Sequence, residues 1–381
     1  MQSPETTLVE YFDDIEDVRL DRNKKHLLVD ILVLAICGVI CGANGPTEIV
    51  SVAKGKRAWF QTFLMLPNGI PSHDTIGRVL ARLRPDVLES RFLAWVQATF
   101  PDLPAQQIAV DGKVSRRSAD ATNDMPALRM ISAWAAETGI VLGQMAVDPE
   151  SNEITALPLL LETIDIEGCD ITADALHCQR ETVAAIIQQK AHYTIAVKAN
   201  QEHLYDDIVA TFAHLHEPVT APLQLYTTCE KGHGRIETRR YWVTNQLDKL
   251  RTAGAWAGLQ TIGMVESERI SNGNVERETR HYMSSREPDA QAFGARVRGH
   301  WSIENSLHWV LDVAMREDEA RIRKEHSAEN MAVIRHIAIN LLKKENTQKI
   351  GVHAKRLLAA CDNNYLGRVL RLGVDNAQNE R

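Results

Sequence analysis

Between residues 106 and 199 the chain sets out short apolar runs in an order that few architectures satisfy. Three come first, QIAVDGK, RMISAWAA and GIVLGQMAV, the last two separated only by the turn from Glu137 to Gly139. Runs of this length bounded by turn formers read as strands, and such tight links make them an antiparallel meander. A helical stretch follows from Asn152 to Leu161 with Asn152 as its cap, then the apolar strand CDITADA, a helix from Gln179 to Gln189 and the strand YTIAVKA. Strands alternating with helices imply parallel pairing through crossovers. The segment predicts a mixed α/β sheet, three strands back and forth and then two in parallel.

The flanks read differently. Residues 1 to 103 have apolar positions three and four apart, as in HLLVDILVLAICGVI, DTIGRVLARL and DVLESRFLAWVQATF, which makes an all-helical N-terminal domain. Its most apolar run, Ile31 to Ala43, falls short of the ~20 residues of a membrane span and reads as a buried helix. After the loop LPNGIPSHD, Ser72 is placed to cap a helix starting near Asp74 that carries Arg78, Arg82 and Arg84. That helix either enters a DNA groove in helix-turn-helix fashion or is a structural helix with surface arginines. Within an α/β domain assigned to residues 104–345, a β-rich insertion at about 200–290 shows strands at RRYWVTN, GLQTIGMVESERI and ETRHYMSS. Helix returns in WSIENSLHWVLDVAM and SAENMAVIRHIAINLLKK, and residues 346–381 form a last helix and a loose tail, GVDNAQNER.

At 381 residues with 44% hydrophobic and 24% charged, the chain exceeds one core and is not a disordered protein. The first thirty residues are acidic and polar, without the pattern of a secretion signal. Six scattered cysteines form no close pair of the kind zinc or redox centres use, and Cys37 and Cys41 share a helical face with Leu34 as core residues. These features imply a cytoplasmic protein with no membrane segment. The net charge of −7 argues against nucleic acid. From Arg316 to Arg371, however, twelve Lys and Arg stand against seven Asp and Glu, a basic region that either faces DNA or is a solvated helical surface.

Three acidic residues carry the chemistry. Asp111 closes the apolar run QIAV, Asp174 lies in ITADA, and Glu304 sits in an apolar helix among Trp301, Ile303, Leu307 and Val310. One strand-end aspartate is commonly a turn former; two at the ends of strands in an α/β sheet, where functional groups converge, are a candidate site. Three carboxylates suit a hard cation, Mg²⁺ or Mn²⁺. Two such ions about 3.5–4 Å apart serve in-line displacement at phosphorus, and a single-ion hydrolase stays open.

The stretches DGKVSRRS, SNEITALP, ITADALHCQ, VKANQEHL, KGHGRIETR, YMSSRE and HWSIENSLHWVLDVAMREDEARIR resemble the H-repeat-associated group of DDE insertion-sequence transposases. HLLVDILVLAICGVICGANG and NGIPSHDTIGRVLARL resemble the helical domain preceding the catalytic one in that group, so the resemblance runs from about Leu8 to Leu370. It implies a ribonuclease H-like catalytic domain with Asp111, Asp174 and Glu304 as the catalytic and metal-holding residues. Mg²⁺ or Mn²⁺, as two ions, is the implied cofactor. The implied partners are the element's terminal inverted repeats and target DNA, bound by a homodimer or larger assembly.

Further residues divide between two readings. Lys113 and Arg116 hold phosphate or belong to a surface loop; Lys198, Asn200 and Gln201 contact DNA or serve turn chemistry. Arg235 contacts DNA or joins Glu237 and Arg239 on one strand face in an internal ion-pair ladder. His308 and Asp312 follow Glu304 at four-residue spacing, so His308 is placed to orient it or to bind phosphate, and Trp301 and Trp309 read as packing residues. Many related transposases carry Tyr, Arg, Glu and Lys at fixed spacing; here Val297, His300 and Leu311 stand where the Tyr, Arg and Lys would, with His300 or Arg298 as a stand-in for the arginine. Hairpin-forming DNA release is therefore not carried over. The rival readings are a nuclease that does not join, a domesticated inactive DNA-binding derivative, and a hydrolase of small phosphoesters.

Overall fold

The computed structural model describes the chain apart from residues 1–7, 18, 21–23, 102, 120–125, 149–151, 214–222, 233 and 372–381. The tail GVDNAQNER lies outside the described residues.

The N-terminal part is helical: α1 Leu8–Phe12, α2 Leu28–Ile40, α3 Pro46–Gly55, α4 Arg57–Phe60, α5 His73–Arg82 and α6 Pro85–Thr99. Every residue of α2 is buried, as a helix apolar on all sides must be. Each of its wholly buried Leu, Ile and Val side chains stabilises the fold by about 1.5–3 kcal/mol. In α5 the Ser72 hydroxyl accepts from the Thr75 amide at 3.2 Å, which fixes the helix start. Its apolar face, Ile76, Val79 and Leu80, turns inward, leaving Arg78 and Arg82 exposed.

The α/β part runs β1 Gln107–Val114, β2 Arg129–Ala135, β3 Ile140–Ala146, α7 Glu153–Glu162, β4 Asp170–Ala173, α8 Arg180–Gln188, β5 His192–Val197 and α9 Glu202–Ala213. The strand order is β3-β2-β1-β4-β5, with the first three antiparallel and β4 and β5 parallel to β1 and to each other. This is the ribonuclease H-like sheet that the sequence order predicts. The insertion continues it: β6 Leu223–Gly232, β7 Arg235–Thr244, β8 Thr261–Ser271 and β9 Asn274–Ser284 form an antiparallel meander. β9 joins β5, giving one nine-stranded sheet.

Five further α-helices follow among the described residues: α10 Ala290–His300, α11 Trp309–Val313, the long α12 Ser327–Lys344, α13 Val352–Cys361 and α14 Asn363–Leu370. α12 packs against α2, α5, α6 and β3, so the main hydrophobic core extends from Leu8 to Leu370, with a smaller cluster around Tyr241 and Phe293 between the insertion and α10. Its Asn340 accepts from the Val141 amide at 2.9 Å and donates to the Val141 carbonyl at 2.8 Å, pairing the free side of the edge strand β3. Asn330 donates to the carbonyls of Leu80 and Leu83, both at 2.8 Å, and so holds the end of α5. Arg335, Lys355 and Arg356 of the basic C-terminal region are buried; Arg356 bonds the carbonyls of Val39, Ala43 and Ala314. Part of that positive surplus thus stitches helices together and does not face solvent. Among the described residues no helix is long and apolar enough to cross a membrane.

Candidate active site

The sheet itself brings the two aspartates together. Gln107, Ile108 and Ala109 of β1 pair with Asp170, Ile171 and Thr172 of β4, a constant offset that, continued two residues, sets Asp111 beside Asp174. β4 stops at Ala173, so the backbone beyond it opens into a cleft. There the Asp174 carboxylate caps a short turn, accepting from the Leu176 amide at 3.0 Å, and Asp111 accepts from the Gly112 amide at 2.9 Å. Both line a cleft of about 290 Å³ together with Lys198, Arg280, His300 and Trp301.

Glu304 arrives from the other end of the chain. After α10 the helix widens into a π-helical turn over Glu304–His308, where the Trp309 amide bonds to the Glu304 carbonyl. The sequence reads as an uninterrupted helix here, and the inserted residue is a departure of the kind often found at functional sites. His308 Nδ1 donates to Glu304 Oε2 at 3.0 Å and lies 3.7 Å from Asp111 Oδ2. One ligand atom from each of Asp111, Glu304 and His308 falls within 4.8 Å of the others. Asp174 stands outside that close group and meets Asp111 across the cleft.

The electrostatics are those of carboxylates buried close to one another. Burial pushes Asp111 up to about 7, with the charges of Asp174, Glu304 and Glu153 adding to it against the opposing Gly112 amide. Burial lowers His308, with Glu304 opposing, and lowers His300 to about 4, so both imidazoles are neutral at pH 7. His300 Nδ1 hydrogen-bonds Thr172 Oγ1 at 3.2 Å.

The other sequence candidates part company. Of the two readings of Lys113, phosphate contact or surface loop, the loop does not hold, since it lies on β1 with 10% of its side chain exposed, and its ammonium is engaged by Asp312 at 2.7 Å, Asp318 at 3.3 Å and Glu317 at 3.5 Å. Asp312 therefore serves Lys113 and not the carboxylate cluster. Asn200 donates to the Ala175 carbonyl at 2.7 Å and Gln201 to the Cys178 carbonyl at 2.9 Å, which makes them clamps on the loop after Asp174. Lys198 is exposed on the cleft wall; Arg116 is exposed beside Asp318. Arg235 and Arg269 flank the buried Glu237, which also pairs closely with Arg239, so the ladder reading holds, with Arg235 still half exposed. Trp301 and Trp309 are exposed, contrary to the packing role expected of them, and Arg280 stacks over the Trp301 ring at 5.1 Å. Arg280 and Glu153 went unread in the sequence. An arginine in a β-rich segment and an acid in the first turn of a helix carry no signal of their own.

Known proteins resemble this chain over most of its length. A family model described as Transposase DDE domain matches residues 102–341, and one described as DDE_Tnp_1-associated matches residues 9–96. Relatives include "H repeat-associated putative transposase YhhI" of Escherichia coli K12, 37% identical over 95% of this chain and 97% of the relative. "Putative transposase YncI" of Escherichia coli O157:H7 is also 37% identical, over 96% and 94%. "Uncharacterized protein in dhlA 3'region" of Xanthobacter autotrophicus is 39% identical over 73% and 94%. Among solved structures, a piggyBac transposase synaptic complex with hairpin DNA aligns at TM-score 0.44 and 10% identity, over 97% of this chain and 78% of that one.

Proposed function

The chain belongs to the Transposase DDE domain family, and from that premise we propose that it cuts the ends of an insertion sequence and joins the exposed 3′ hydroxyl to target DNA at Asp111, Asp174 and Glu304. The family acts on DNA and depends on a divalent metal. The observation that supports the residue assignment is convergence on Asp111: the strand register and the end of β4 set Asp174 on the same cleft, and Glu304, far along the chain, offers a ligand atom within 4.8 Å of one from Asp111.

The donor set is oxygen with one neutral imidazole nearby, which fits Mg²⁺ or Mn²⁺, and Asp111, between the other two acids, is placed to be shared by two ions. Bound there, the ions supply the charge that activates the attacking oxygen and stabilises the leaving one. The chain's own residues do the positioning. His308 holds Glu304 toward Asp111, the capped turn holds Asp174, and Asn200 and Gln201 fix the loop behind it. Cutting and joining are then one phosphoryl-transfer chemistry with water or a 3′ hydroxyl as nucleophile.

The DNA path follows from a second feature. A trough of about 600 Å³ on the insertion, walled by Arg235, Arg239, Arg269, Arg277, Arg280 and Arg298, shares Arg280 and Trp301 with the catalytic cleft. Glu237, Glu276 and Glu278 share its walls and pair with several of these arginines, but six arginines against three glutamates leave a positive surplus there, which supports a phosphate track despite the net charge of −7. Arg78 and Arg82, exposed on α5, are assigned to element-end recognition, and pairing two ends calls for a homodimer or larger assembly acting in the cytoplasm.

The test incubates the protein with a labelled duplex carrying an element end, a plasmid target and Mg²⁺ or Mn²⁺. Cleaved end and joined product are expected from the wild type and neither from Glu304→Gln. Cleavage without joining leaves a nuclease; no cleavage in either metal leaves an inactive derivative.

A further inference from the structure

Glu153 has a seat that only glycine makes possible. Alternation along β1 turns Asp111 and Lys113 to one face of the sheet and Gly112 to the other, the face covered by α7. A Cβ built on Gly112 would stand 2.5 Å from the Glu153 Cδ and closer still to one of its oxygens. The carboxylate therefore rests directly on the β1 backbone, one residue past Asp111. Its approach is fixed from behind, because Asn152 caps α7 by accepting from the amides of Ile154 at 3.0 Å and Thr155 at 3.3 Å. Glu153 is thus the first residue of a helix whose start cannot slide.

A structural role does not require this arrangement. An acid in the first turn of a helix gains its favourable interaction with the helix dipole while exposed to solvent. Here it is half-buried, and burial together with the charge of Asp174 works against its ionised form, relieved in part by Arg129. Its charge in turn bears on Asp111. Holding a carboxylate inward among like charges is costly without a cation.

We propose that Glu153 is a fourth oxygen donor of the divalent-cation site, completing with Asp111 and Asp174 the position opposite Glu304. The inference rests on the reading above that Asp111 and Asp174 hold metal. It divides the acids into two sets that share Asp111, with Glu304 on one side and Asp174 and Glu153 on the other.

The experiment titrates the full-length protein with Mn²⁺, reading free ion by its electron paramagnetic resonance signal and checking competition by Mg²⁺. Glu153→Gln is expected to weaken Mn²⁺ binding by about ten- to a hundredfold or to remove one ion from the stoichiometry, with thermal stability in EDTA unchanged or raised. Gly112→Ala meets only the flexible end of Glu153, so it should push the carboxylate away and weaken binding similarly. The two changes together should do no more than either alone. Wild-type Mn²⁺ affinity and stoichiometry in Glu153→Gln overturn the proposal. Should that variant not fold, Glu153→Asp, which withdraws the carboxylate by one methylene, takes its place under the same criterion. Asp111→Asn is the control for the underlying reading: if it keeps wild-type Mn²⁺ binding, the metal site itself is misassigned. If it loses binding and Glu153→Gln does not, only the fourth donor is wrong.

Discussion

Replacing Asp111 by asparagine should destroy activity and strengthen the fold. Asp111 is held at about 7 against an ordinary 3.8. At 1.36 kcal/mol per unit, the ionised carboxylate costs the folded state at most about 4 kcal/mol. With 29% of the side chain exposed, solvent screening trims this to about 2–3 kcal/mol, or several degrees in melting temperature. The sign follows from the raised value: the folded state holds its proton more tightly than the unfolded, so the penalty is absent below about pH 4, grows as pH rises and is complete above pH 7. In EDTA, urea unfolding should show Asp111→Asn equal to wild type at pH 4 and more stable by about 2–3 kcal/mol at pH 8. Excess Mg²⁺ should raise wild-type stability by mass action and close the gap, with little effect on the variant. End cleavage should fall by on the order of 10³-fold or more, since the lost group would take several kcal/mol of charge stabilisation with it. An asparagine variant no more stable than wild type at any pH from 4 to 8, or one that still cuts, would refute the reasoning.

Two other outcomes are open to measurement. Glu89 on α6, facing Gln144 of β3 and the charge of Glu329 on α12, is pushed by burial to about 8; its penalty grows from about pH 4.5 to pH 8, so Glu89→Gln should be a few kcal/mol more stable than wild type at pH 8 and equal to it at pH 4, read by urea melts. Arg280→Ala should weaken binding of an element-end duplex and lower the slope of log affinity against log salt by about one, with the fold unchanged by circular dichroism, because Arg280 stands where cleft and trough meet.

Much of this was legible because the determinants are local. The β1 to β5 order showed through its switch from period-two to helical spacing, and the caps Ser72 and Asn152 were readable as residue types. The pairing of Asp111 with Asp174 was also latent, since their sequence separation equals the β1/β4 offset. What escaped was set by tertiary context. β6 is exposed along nearly its whole length, so no buried face marks it, and its strand state comes from ten residues of pairing with β7. The π-helical turn at Glu304 leaves no trace in an apolar helical pattern, and with it went the exposure of Trp301 and Trp309. Lys113 read as a phosphate ligand or a surface-loop residue because its three acidic partners lie some two hundred residues away.

Those partners explain how a site assembled from such distant segments keeps its register. Asp111 and Lys113 are two residues apart on β1 and point the same way, while Glu304 and Asp312 are two turns apart along the facing helix. Asp111 meets His308, which holds Glu304, and Lys113 meets Asp312, so strand and helix are joined at two points and can neither slide nor pivot freely. At the second point the Lys113 ammonium is largely buried while Asp312 is part-exposed, and a shift that drew the lysine away from its carboxylates would leave a buried charge poorly paired. From Lys113 the chain of charge continues through Glu317 to Arg335 at 3.3 Å on α12, the same helix that holds the end of α5 through Asn330. The helices assigned to DNA-end recognition and the carboxylates assigned to cutting are therefore referenced to one element. That is the arrangement a DNA end needs if a phosphate recognised at one place is to be cut at another.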